Sequence, residues 1–108
     1  MLNRKTPETL SATLTFKGQG ATSTEQVVFY NRSESDIRTE SDKLNADPKA
    51  EAEPRWVAVM QFLYLVKSVN GQTPTEHDVM KMEEDFPGTI VEFFYAYHEQ
   101  RRVAVVKN

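Results

Sequence analysis

Apolar residues first recur at every second position: Leu10, Ala12, Leu14 and Phe16 alternate with Thr9, Ser11, Thr13, Thr15 and Lys17. A period of two is that of a strand with one face buried. Gly18, Gln19, Gly20 and Ala21 supply turn chemistry, and Glu25 to Tyr30 (EQVVFY) is rich in β-branched and aromatic residues. The two runs are therefore expected to pair as a hairpin over about 9–30. A lone hairpin is marginal in water, so its apolar face must lie on the helices that the rest of the chain encodes.

Ser33 followed three residues later by Asp36 predicts a short polar helix over Glu34 to Leu44, anchored by Ile37 and Leu44. Asn45 to Glu53 (NADPKAEAE) reads as a connection or one loose helical turn. Pro54 then suits the first position of a helix running from Trp56 to Val66, where apolar residues point in nearly every direction. Such a helix is buried on several sides, or is an oligomer contact. Asn70-Gly71 is expected to end it, with glycine in the left-handed conformation.

From Thr73 to Arg102 the spacing predicts two helices joined at a proline. Thr73, Pro74 and Glu76 fit the N-cap, N1 and N3 of a capping box. Val79, Met82 and Phe86 then share one side, with Glu83, Glu84 and Asp85 on the other, and the helix should stop before Pro87. Pro87 fits N1 of the second helix, on which Phe86, Ile90, Phe93, Phe94 and Tyr97 form a core stripe with Glu92 and Glu99 opposite. Val91, Tyr95, His98 and Arg102 fall together on a flank beside that stripe. This flank is the candidate partner-binding surface. Beyond it, Val103 to Val106 fits either a short edge strand or a tail within 103–108.

These elements amount to an α+β fold, an N-terminal antiparallel hairpin packed on a small helical bundle, in a single domain over 1–108. The length of 108 residues, 39% hydrophobic and 27% charged, suits one globular unit. A net charge of −3 gives no reason to expect nucleic acid as a partner. Without cysteine there are neither disulfides nor thiolate metal ligands. The N-terminus MLNRKTPETL has no apolar run that fits a signal peptide, and Trp56 to Val66 is far short of the ~20 residues that span a bilayer. The expectation is a cytoplasmic protein with no membrane contact.

Candidate chemistry is sparse. His77 beside Glu76 and His98 beside Glu99 are sequence neighbours, which diverge on a helix, so a hydrolase built on either histidine is disfavoured. Glu83, Glu84 and Asp85 also diverge, and cation loops need a glycine-enforced curve around the ion. Gly18 and Gly20 lack the third glycine and the βαβ context of a dinucleotide site. The rings of Phe93, Phe94, Tyr95 and Tyr97 have no interleaved basic surface for stacking bases. No catalytic, metal or cofactor site is expected. A protein-interaction role is.

In order and content the chain resembles the tail assembly chaperones of long-tailed phages and related prophages. The resemblance rests on Val69-Asn70-Gly71, Pro74, Glu76, Phe86-Pro87-Gly88, Ile90, Phe94, Tyr97, Arg101, Arg102 and Asn108. It covers nearly the whole chain and is strongest from Trp56 onward. It implies a non-enzymatic protein that binds the tape measure protein, keeps its long helices soluble, and helps tail tube protein polymerise around it in the host cytoplasm. Such chaperones are absent from the finished virion. The alternative is a small intracellular interaction or regulatory domain unrelated to tails, and a homo-oligomer fits either reading.

Overall fold

The alternating run forms a strand, and its partner is longer than the sequence pattern indicated. In the computed structural model, which describes residues 4–105, β1 (Thr9–Gly18) pairs antiparallel with β2 (Ala21–Tyr30) without a break from Thr9↔Tyr30 to Gly18↔Ala21. Gln19 and Gly20 alone make the turn, at φ 51° and 75°. Two successive positive φ values give the twist that a two-residue hairpin needs, and glycine takes the second without strain. Leu10, Ala12, Leu14 and Phe16 share the inner face with Val27 and Phe29. On the outer face Thr13 Oγ1 donates to Gln26 Oε1 at 2.9 Å, and the hydroxyls of Thr15 and Thr24 lie 3.2 Å apart.

α1 (Glu34–Asn45) starts where its capping residue places it, with Ser33 Oγ accepting from Asp36 N at 3.1 Å. Leu44 is buried and Ile37 packs against the core. α2 (Lys49–Ala52) is the single turn in the connection. α3 (Trp56–Leu65) begins two residues after Pro54, so that proline is not its first helical residue; Arg55 precedes the helix at φ 72°. Trp56, Val59, Phe62 and Leu65 are sealed, and most of the remaining residues are half-buried, which makes α3 the central helix.

The helix does not continue through Val66. Val66–Val69 forms β3, which adds to β2 on the side away from β1, with a bulge between Val28 and Phe29. Asn70-Gly71 therefore caps no helix. At φ 52° and 79° the pair turns the chain between Val69 and Gln72. Asn70 also closes the sheet: its N donates to Gln26 O at 2.7 Å and its Oδ1 accepts from Gln26 N at 2.9 Å.

α4 (Glu76–Asp85) is capped by Thr75 rather than Thr73. Thr75 Oγ1 accepts from Asp78 N at 3.2 Å while Asp78 Oδ2 accepts from Thr75 N at 3.0 Å, a reciprocal box displaced by two residues from the expected one. The helix stops at Asp85, ahead of Pro87. α5 (Thr89–Arg101) starts after Gly88, whose φ of 97° suits only glycine, so Pro87 lies outside the helix rather than at its first turn.

Five rings tie these elements into one core. Phe93 on α5 stacks on Phe16 of β1 at 5.1 Å and meets Phe62 of α3 edge-on at 4.9 Å. Tyr97 packs edge-on to Phe29 at 5.5 Å, and its hydroxyl donates to Arg32 O at 2.8 Å and accepts from Arg32 N at 2.9 Å. Arg32 in turn donates from Nε to Tyr64 O at 3.2 Å, with its guanidinium over the rings of Tyr30 and Tyr64. The fold is α+β, with the hairpin on the helices and β3 as an added strand. Residues 103–105 take no regular structure, and Val106 lies outside the described residues. No helix among the described residues is long and apolar enough to cross a membrane.

Candidate functional site

On α5 the buried stripe is Ile90, Phe93 and Tyr97, with Phe94 half-buried at its margin. Phe86 does not lead that stripe: it is 45% exposed. The extended backbone at Phe86 and the left-handed Gly88 separate it from the register of α5. Val91, Tyr95, His98 and Arg102 do share one side of the helix, next to Phe94, and all four are exposed. Val91 is 47% and Tyr95 65% accessible, an apolar and aromatic surface that the fold leaves open.

The polar end of this flank has its own geometry. The His98 ring lies edge-on to Tyr97 at 5.4 Å. Arg102 closes α5, its N–H donating to His98 O at 3.1 Å and Glu99 O at 3.3 Å. The Arg102 guanidinium stands 3.9 Å from the Glu99 carboxylate, an exposed pair of little energetic weight. It can turn to an incoming anion at small cost. The flank thus runs from apolar at Val91 to cationic at Arg102.

Glu83 is a correction. The helical wheel placed it on a polar side with Glu84 and Asp85, and those two are exposed, but Glu83 is only 9% exposed. Its carboxylate accepts from Gly88 N at 2.6 and 3.3 Å and, at 3.4 Å, from Ile90 N. Gly88 has no side chain with which to cap α5. A carboxylate from α4 takes that role, and its charge also complements the positive end of the helix dipole.

The sequence pattern also missed a cleft of about 850 Å³ between the hairpin tip and the α4–α5 corner. Phe16, Met82, Phe86 and Pro87 supply its apolar lining, with Glu25, Asp78, Lys81, Asp85 and Glu92 among its charged residues. One side is bridged where Gln19 Nε2, at the hairpin turn, donates to Asp85 O at 2.7 Å. Lys81 pairs with Asp85 at 3.0 Å. Burial pushes the Glu25 carboxyl above its ordinary value, whereas the backbone N–H of Thr75, then the Thr75 side chain, hold Asp78 below its own. None of the four flank residues lines this cleft. Its signal in the sequence is faint: Glu25 stands on the inner face of β2 in line with Val27 and Phe29, where an apolar residue would continue the core.

His77 and His98 sit exposed on different helices, α4 and α5. Among the described residues no group of three or more histidine, aspartate or glutamate side chains gathers as metal ligands. No family model, curated protein or solved structure matches this chain.

Proposed function

We propose that this chain is a tail assembly chaperone of a long-tailed phage or prophage. It binds amphipathic helices of the tape measure protein, keeps them soluble in the host cytoplasm, and supports polymerisation of tail tube protein around them. It then leaves before the virion is complete. No catalytic step and no cofactor enters this reading. The observation that carries it is the exposure of Val91 and Tyr95 beside half-buried Phe94, on a helix whose Phe93 and Tyr97 are sealed.

A helix-binding surface needs an apolar strip, an aromatic anchor and a polar rim that sets orientation. Val91 and Phe94 provide the strip and Tyr95 the anchor. A guest helix that lays its apolar residues along them brings its polar margin to His98 and Arg102. The rim selects acidic over basic residues there, by charge.

The test is co-expression of a tape measure fragment with and without this protein. The fragment should stay soluble and co-purify only in its presence. Insolubility in both cases, together with no co-purification, would reject the chaperone role.

A further inference from the structure

We infer that the free edge of β1 is the interface of a two-fold dimer, in which β1 of one copy pairs antiparallel with β1 of a second to make one continuous sheet. β1 is the outer strand of the order β1-β2-β3. Asn31 N donates to Glu8 O at 3.0 Å, one step beyond Thr9↔Tyr30 in the ladder. Antiparallel pairs alternate, so the even residues of β1 exchange hydrogen bonds with β2. Thr9, Ser11, Thr13, Thr15 and Lys17 therefore turn their N–H and C=O groups outward.

This edge lacks the devices that keep strands apart. It has no proline and no bulge from Thr9 to Gly18, and its one charge, Lys17, stands near the end. Beside it the inner face is unfinished: Leu10, Ala12, Leu14 and Phe16 are only partly buried, while Val27 and Phe29 on β2 are sealed. An added strand would complete both the hydrogen-bond ladder and the apolar layer.

The strand is complementary to itself, which selects a second copy as the occupant. Outward groups sit on odd residues, so odd must pair with odd, and the inner faces of both copies then lie on the same side. An axis at Thr13 sets Leu10 of one copy opposite Phe16 of the other, Ala12 opposite Leu14, Ser11 opposite Thr15, and Thr9 opposite Lys17. No like charges meet. The centre is a Thr13–Thr13 pair, a favourable cross-strand combination, and a closed two-fold leaves no further β1 edge to propagate.

Sedimentation velocity on the full chain over a concentration series reads this directly. The parent should sediment as a dimer. Thr13→Pro removes an outward N–H and leaves the backbone β1–β2 ladder intact, giving up only the Thr13 Oγ1–Gln26 Oε1 bond, so it should halve the mass and keep the folded circular dichroism spectrum, with a lower melting temperature as the dimer's contribution is lost. Should that variant fold poorly, charge substitution decides. S11K/T15K and S11E/T15E each place like charges opposite one another and should be monomers, and an equimolar mixture should recover the dimer. A parent that is monomeric throughout, or a dimer that survives both charge variants, overturns the inference. So does an edge that accepts a foreign strand-forming peptide while the parent alone stays monomeric. Guest capture plays no part in these readings, so they stand or fall separately from the chaperone proposal.

Discussion

Glu25 and Asp78 both line the cleft, yet burial raises the pKa of the first while hydrogen bonds from Thr75 lower that of the second. Asp78 accepts from Thr75 N, which lowers its folded pKa below 3.8. Its contribution to stability is present above that value and is lost as pH falls through the folded pKa. Glu25 is desolvated, so its folded pKa lies above 4.5. The folded state then holds the Glu25 proton more tightly than the unfolded chain does, and that contribution is complete below 4.5 and lost as pH rises through the folded pKa. Glu25→Gln should therefore raise the urea midpoint at neutral pH, with the gain vanishing in acid below 4.5. A gain that is equal at both pH values, or a loss at neutral pH, would show that burial does not penalise this carboxylate. The capping residue of α4 was only half legible at this scale. Thr73–Glu76 and Thr75–Asp78 are overlapping candidates, and the chain leaves the Val69–Gln72 turn extended and enters helix only at the later one, a choice the two patterns alone do not make.

At the scale of the element, Glu83 joins α4 to α5 by capping the second helix from the first. Glu83→Ala leaves Gly88 N without its acceptor and should cost about 1–3 kcal/mol in urea unfolding, whereas Glu83→Gln keeps an acceptor oxygen and should cost less. Equal losses for the two would mean that packing, not capping, accounts for the burial. Helical periodicity misses such a residue because it weighs each helix alone. It also missed β3: the apolar run from Trp56 to Val66 has no internal break, and the strand that converts Val66–Val69 lies far upstream in β2. Where the determinants were local, the elements were legible. The alternation in β1, the Gly-Gln-Gly turn and the Ser33 cap each specify their own structure.

At the scale of the whole molecule, the two ends of the hairpin meet different parts of the helical body. Its Val27–Phe29 end seals the core, while its tip faces the α4–α5 corner across the cleft and touches it through Gln19 and Asp85. The length of β1 and the turn position were legible in the sequence, whereas β2 starts four residues before its apolar run, and where the tip would land depends on how α4 and α5 meet at Gly88. The α5 flank was easier to foresee, since a helix with one buried stripe and surplus aromatic residues must place some of them elsewhere. The most direct test of the account is a titration of a tape measure helix against the parent and Tyr95→Ala, alongside their melting curves. With its side chain outside the core, Tyr95→Ala should shift stability by no more than about 0.5 kcal/mol, while the loss of an aromatic anchor should weaken binding by about 2 kcal/mol or more. Unchanged binding, or a fall in stability that matches the fall in affinity, would contradict it.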